Sequence, residues 1–384
     1  MKKALCIIAS CLLIQACTAV ENYMLGKDNT PEPSPLKAIE PKIDLVNVKS
    51  VPIGSKQNKS DFAKLSPVIS DQVIYTASAN GEIKDIRQGS NESLWTQKIH
   101  QSILSGPSVA DAVIAVSTGD SAIVLLNKKD GSILWKKSVS SQVLSKPAIA
   151  GQTLVAKTID GQLYAFDLKG GAIRWQVQHG APDFILKGSS SPVIQGNQVF
   201  AAYSDGKFEA VDLNNGHVLW QRAISYPKGS SDVERLVDVD ADPIIKNDVA
   251  YLASYQGQLE ALSLKTGQVL WSVPASVYKN ISYYQNAIYM TDTDDVVWAV
   301  DAQNGKIKWQ QKGLKARGVT EPVVANHQLY VGDRYGYMHA LSTQDGHFIA
   351  RAQLPAAIKH PAVIDQKDLY VQSGNGMLNQ FAIG

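Results

Sequence analysis

Leu168-Lys169-Gly170-Gly171-Ala172-Ile173-Arg174-Trp175 is the stretch that decides the fold. It reads as a tight turn and then a short strand ending on a large aromatic. Its frame, Gly-x-x-x-Trp, recurs at Gly131–Trp135, Gly216–Trp220, Gly267–Trp271 and Gly305–Trp309, and Asn91–Trp95 repeats it with Asn for Gly. In Asp345-Gly346-His347-Phe348-Ile349-Ala350 the frame survives, with Ala350 in place of the aromatic. Six of the seven tryptophans thus hold one position of a repeat, and only Trp298 lies elsewhere. Their intervals are 40, 40, 45, 51 and 38 residues. A period near 40 with strand-like content predicts a propeller.

Working outward, each unit opens with a small or polar residue, Pro and an apolar pair. The openings are Ser66-Pro67, Gly106-Pro107, Lys146-Pro147, Ser191-Pro192, Asp242-Pro243, Glu321-Pro322 and His360-Pro361, with Asn280-Ile281 keeping the frame without Pro. Pro suits the first residue of a strand, where its missing N–H breaks no ladder bond. Four strands fit within a unit, joined by turns such as Asp160-Gly161, Asp205-Gly206 and Asn375-Gly376, in which Gly supplies positive φ. A small residue follows four positions on, at Ala165, Ala210, Ala261 and Ala340, and lets neighbouring blades approach. Eight openings predict an all-β, eight-bladed β-propeller of four-stranded antiparallel blades. The last unit ends three strands in, and the alternating segment Ile43–Val48 supplies the strand that closes it. A length of 384 residues would otherwise suggest several domains; the repeat assigns 43–384 to one closed ring.

Residues 1–16 read as a lipoprotein signal peptide. Lys2 and Lys3 precede an apolar run, Ala4–Leu13, that is too short to span a bilayer. Ile14-Gln15-Ala16-Cys17 resembles a bacterial lipobox, so Cys17 is the expected lipidation site, acylated with fatty acids such as palmitate. Ile8-Ala9-Ser10-Cys11 competes but leaves half the apolar run, and the plain alternative is a secretory signal with an incidental cysteine. On the lipid assignment Cys17 is the only cysteine of the mature chain, so no disulfide can form within it. The residue after it is Thr18; Asp there would resemble an inner-membrane retention signal, so the outer membrane is expected. Residues 17–42 are rich in Pro and polar side chains and are expected to be a lipidated tether with too little apolar content to pack.

Losing Lys2 and Lys3 reduces 37 basic residues to 35, against 35 acidic ones. A formally neutral mature chain offers no basic excess for nucleic acid, and no nucleic-acid motif is present. Enzyme chemistry is equally absent. The seven histidines show no metal-ligand spacing, and Asp294-Asp295 stands where other units have an Asp-Gly turn. Gly170-Gly171 lies in a hairpin and not at a helix start, so it cradles no phosphate. No catalytic residue, metal or cofactor is expected.

The repeated Ala-x-Asp-x-x-x-Gly-x-x-x-Trp, as in Ala165–Trp175 and Ala210–Trp220, resembles the tryptophan-docking repeat of pyrroloquinoline-quinone-type propellers. With the lipobox and an uninserted eight-blade ring, residues 1–384 as a whole resemble the propeller lipoproteins of the outer-membrane β-barrel assembly machinery. That resemblance implies a non-catalytic scaffold on the periplasmic face of the outer membrane, lipid-anchored, binding BamA within the barrel-assembly complex and touching unfolded outer-membrane proteins. The two longest inter-blade segments, 178–190 and 225–241, carry the matching loops. Arg235-Leu236-Val237-Asp238-Val239-Asp240 resembles an Arg-Leu-x-Asp-Val-Asp segment that docks BamA. Phe184-Ile185-Leu186-Lys187-Gly188 resembles a neighbouring Leu-x-Leu-Arg-Gly loop, with Phe184 and Lys187 departing from its first Leu and its Arg. Phe184, Leu186, Lys187, Arg235, Asp238 and Asp240 are therefore the candidate partner-binding residues, and the two aspartates are expected to be exposed and to face a basic patch. The plain alternative is two long solvated loops. Quinoprotein dehydrogenases share the repeat but need a vicinal disulfide, calcium ligands and long insertions. A generic periplasmic binding propeller is the third class.

Overall fold

The computed structural model describes residues 31–54, 63–90, 92–180, 189–225, 238–365 and 367–383. They form eight antiparallel sheets in a ring, one per repeat, and the blades are numbered here in chain order from Val68. Blade 3 is representative: Ala148–Ala150, Thr153–Lys157, Gln162–Asp167 and Ile173–Gln178 run from the channel to the rim. The middle strands are buried throughout and the outermost alternates, because only the middle ones pack on a blade at each face. Blade 2 gains an extra inner strand, Lys64–Leu65, laid parallel to Ile103–Ala110.

Each tryptophan joins two blades. Trp175 lies opposite Ala165 in its own sheet, across a bulge that sets Ile173 against Phe166. The small Ala leaves the ring room to lean over the next blade. There Trp175 Nε1 donates to Leu213 O at 2.7 Å, and the ring covers Gly216, where an added Cβ would come within 2.8 Å of Trp175 Cδ2. The same pairing joins Trp135 to Leu168 and Gly171, Trp220 to Leu264 and Gly267, Trp271 to Ala302 and Gly305, and Trp309 to Thr343 and Gly346. Blade 1 does likewise through Trp95, Lys128 O and Gly131. The frame of turn glycine, small residue and tryptophan is therefore one device for stacking blades, and it explains why the three types recur together. Trp298, the seventh, instead bonds Asp292 within its own blade.

The ring closes as expected. Leu45–Pro52 pairs antiparallel with Met377–Ile383 and becomes the rim strand of blade 8, starting two residues later and running four residues further than the alternating segment indicated.

The described part of the tether departs from expectation. Residues 31–44 do not hang free but lie as a strap along blade 7, whose rim strand is Phe348–Gln353. Ser34 N donates to Lys315 O at 2.9 Å, and Lys42 N to Ile349 O at 2.7 Å. Arg317 Nη1 donates to Ser34 O, and Arg351 Nη1 to Lys37 O, each at 3.0 Å. Both guanidiniums are held from behind. Arg317 Nε donates to Asp333 Oδ2 at 2.7 Å, and Arg351 Nε donates to His339 Nδ1 at 3.1 Å. With Nδ1 accepting, His339 Nε2 donates to the same Asp333 oxygen at 3.1 Å. Burial holds the His339 pKa below the ordinary histidine value, in keeping with that neutral tautomer. Leu36 packs on the core between blades 6 and 7, and Ile43 on the core between blades 7 and 8. Composition misled here because two apolar residues and four backbone groups suffice once the ring supplies their partners. Where Ala350 stands in place of a tryptophan, Ile43 and Leu45 contribute to the packing instead.

Candidate functional site

The connections from the rim strand of one blade to the inner strand of the next all emerge at one end of the ring, because every blade has four antiparallel strands. Segments 178–190 and 225–241 are two such connections, flanking blade 4. Phe184, Leu186, Lys187 and Arg235 lie outside the described residues. The ends of both segments are described, and they run into a charged hub on the channel axis.

The first segment is held at both ends. Upstream, His179 Nε2 lies 2.8 Å from the buried Glu209 Oε1, close for an ion pair though poorly angled for a hydrogen bond. Tyr203 packs against His179 at a tilt of 39° with centroids 4.2 Å apart and donates its hydroxyl to the same Glu209 oxygen at 2.5 Å. Downstream, Ser190 Oγ receives Lys157 Nζ at 3.0 Å, and Ser191 N donates to Asp242 Oδ1 at 2.6 Å. The second segment ends on the same carboxylate. Asp242 Oδ1 also meets Lys64 Nζ at 3.1 Å, and Lys64 Nζ donates to Asp240 O at 3.0 Å. Asn280 completes the frame, donating to Asp242 Oδ2 and accepting from Asp242 N.

Asp238 and Asp240 do not meet the expectation of exposure: they are 0% and 2% exposed. The cause lies in the fold. Both stand where the chain turns inward toward the first strand of blade 5, so their side chains enter the protein. Asp238 O accepts from Tyr255 N at 2.9 Å, and one Asp240 carboxylate oxygen has no hydrogen-bond partner among the described residues. Burial raises the Asp240 pKa to about 6, opposed by the charges of Lys64 and Lys157. Burial likewise lowers Lys157 to about 8, opposed chiefly by Asp240. At Asp242 burial works against the charge, but Lys64 and the Ser191 N–H outweigh it and hold the pKa below the usual carboxylate value. Glu321, facing the same group, is raised by burial.

The sequence did not single out Lys64, Lys146, Lys157, Asp242 or Glu321 as site residues. A signal existed for three of them: Lys146, Asp242 and Glu321 each immediately precede an opening Pro, at the mouth of an innermost strand. Which of these residues meet across the channel depends on the ring geometry, which the sequence does not display. Asp295 does more than fill the turn expected of it. It does occupy a turn position with φ of 61°, as Gly161 does at 84°. Yet it also accepts from Gly318 N and Val319 N and pairs with Lys279 at 2.9 Å, so it ties blade 6 to the next connection.

The hub's donors and acceptors are largely spent on each other. Among the described residues no three His, Cys, Asp or Glu side chains gather to hold a metal ion. Fold and repeat define an eight-bladed propeller of the pyrroloquinoline-quinone type. The fold alone is shared with a europium-containing methanol dehydrogenase, at TM-score 0.73 and 13% identity over 88% of this chain and 93% of that one. More specific likenesses exist. Residues 66–311 match the family model described as outer membrane protein assembly factor BamB. The BamB of Legionella pneumophila (strain Paris) is 46% identical over 383 residues, covering 100% of both chains. That of Escherichia coli (strain K12) is 35% identical over 155 residues, 40% of this chain and 39% of that protein. The crystal structure of BamB from Moraxella catarrhalis superposes with TM-score 0.80 at 26% identity, over 88% of this chain and 99% of that one. The chain belongs to the BamB family of outer membrane protein assembly factors, and so is a non-catalytic assembly protein and not a dehydrogenase.

Proposed function

We propose that this protein is anchored by lipid on Cys17 to the periplasmic face of the outer membrane and docks BamA there, through segments 178–190 and 225–241. In that place it assists folding and insertion of β-barrel proteins, whose unfolded strands it contacts. Processing would remove residues 1–16 and leave residues 17–30 as the reach between lipid and strap. Phe184, Leu186, Lys187 and Arg235 supply the partner contacts. Asp238 and Asp240 act beneath the surface by holding the second segment. Supporting this reading is one observation above all: the downstream ends of both segments converge on Asp242. Two segments tied at their described ends have less conformational freedom to lose on binding than two loose ones.

The test is capture of BamA from detergent-solubilised outer membranes by the tagged full-length protein. Leu186→Asp is expected to abolish capture by placing an unpaired charge against an apolar contact. Asp294→Arg, on an exposed turn of blade 6, is expected to leave it intact. Capture by Leu186→Asp at the wild-type level would refute the docking assignment.

A further inference from the structure

Lys64 and Asp242 come from distant parts of the ring. Lys64 lies on the short strand added inside blade 2, and Asp242 opens blade 5. They meet at 3.1 Å across the channel, with 23% and 26% side-chain exposure, in reach of water along the axis. One oxygen of Asp242 thereby takes both Lys64 Nζ and, at 2.6 Å, the N–H of Ser191. Lys64 Nζ in turn holds Asp240 O at 3.0 Å. Ser191 terminates the first docking segment, and Asp240 belongs to the end of the second. Asp242 therefore joins the two ends directly, and Lys64 braces that joint by holding both its carboxylate and the Asp240 carbonyl.

We infer that the Lys64–Asp242 pair is a positioning device that sets one docking segment relative to the other without touching the partner. The inference rests on the docking role proposed above. Its physical basis is the balance of charge at the hub. Without Lys64, the carboxylate of Asp242 remains beside Asp240 and Glu321, both of which already resist ionisation through burial. Lys146 and Lys157 remain nearby, but the nearest counter-charge and the bond to the Asp240 carbonyl are gone, so the end of the second segment is held less firmly against Ser191. With Asp242 made neutral, Ser191 N–H keeps an amide oxygen to bond, but Lys64 loses its counter-charge and its grip on the Asp240 carbonyl weakens. Either change loosens the same joint, so the two effects overlap and do not add.

The experiment is a double-mutant cycle on the affinity of the full-length protein for the periplasmic domains of BamA. Lys64→Met and Asp242→Asn are each expected to weaken binding about tenfold, and the double variant no more than about threefold beyond the weaker single. Lys64→Arg, which keeps the charge, is expected to bind within about threefold of wild type. Amide exchange in the free protein supplies a second readout. In Lys64→Met it should speed up within 178–190 and 225–241 while the middle strands of blades 6–8 keep wild-type protection. Wild-type affinity in both singles, alongside lost binding in Leu186→Asp, would overturn the inference and spare the docking assignment. Losses that multiply in the double variant, or faster exchange throughout the ring, would overturn it too. Normal binding by Leu186→Asp would overturn the docking assignment and the inference with it.

Discussion

Replacing Gly216 by Ala tests the device that stacks the blades. The residue has φ of 74°, a left-handed conformation that costs an L-residue about 1–2 kcal/mol. Its new Cβ would also stand 2.8 Å from Trp175 Cδ2. The indole cannot withdraw freely, since it is 7% exposed and bonded to Leu213 O at 2.7 Å. Overpacking of that kind adds about 1–3 kcal/mol, for a total of about 2–5 kcal/mol. Gly151 is the internal control: its φ is 54° with nothing within 4 Å, so Gly151→Ala carries only the backbone term. The deciding comparison uses Trp175→Ala, itself expected to cost about 3–5 kcal/mol. In that background the Cβ at position 216 meets space, and Gly216→Ala should fall to about 1–2 kcal/mol. The assay is the urea midpoint of the wild type, the three single variants and the Trp175→Ala/Gly216→Ala double variant. An equal cost of Gly216→Ala with and without the indole would refute the stacking account, as would Gly151→Ala proving equally damaging.

Three further outcomes follow from the same geometry. Deleting residues 18–30 should leave the melting temperature unchanged, whereas deleting 18–42 should lower it by several degrees through loss of Leu36 and exposure of the Arg317 and Arg351 partners; equal melting by calorimetry would show that the strap contributes nothing. Asp240, raised from 3.8 to about 6, favours folding most below its unfolded value, and that contribution is lost as pH rises through about 6. Asp240→Asn should therefore gain stability relative to wild type between pH 4 and pH 7, by up to about 3 kcal/mol, and a constant difference in urea midpoint across that range would contradict it. Cys17→Ser should release the protein from the outer-membrane fraction, since the acyl chains supply most of the membrane affinity; full retention after a carbonate wash would exclude the lipid anchor.

The fold was legible because a propeller repeats its packing device. Ala165, Trp175 and Gly216 are three parts of one contact, and a contact repeated at fixed spacing leaves a period in the sequence. Closure by the N-terminal strand was legible too, since an unfinished last blade needs a partner. The strap was not. Its anchors, Arg317 and Arg351, lie about 280–315 residues from the segment they hold, and neither belongs to the repeat. The candidate site was legible only in part. Segment length marked where loops leave the ring, but Asp238 and Asp240 look the same in sequence whether they face solvent or a buried lysine. Their orientation depends on Lys64 and Lys157, which reach the hub from other blades, and no local pattern encodes that meeting.

The central claim is that this ring meets BamA at the two connections flanking blade 4. Photo-crosslinking in living cells tests it most directly, with a benzophenone side chain at position 186 or, in turn, at position 375 in a turn of blade 8 on the same end. The account predicts a crosslink to BamA from position 186 and none from position 375. Equal crosslinking from both positions, or crosslinking from position 375 alone, would contradict it.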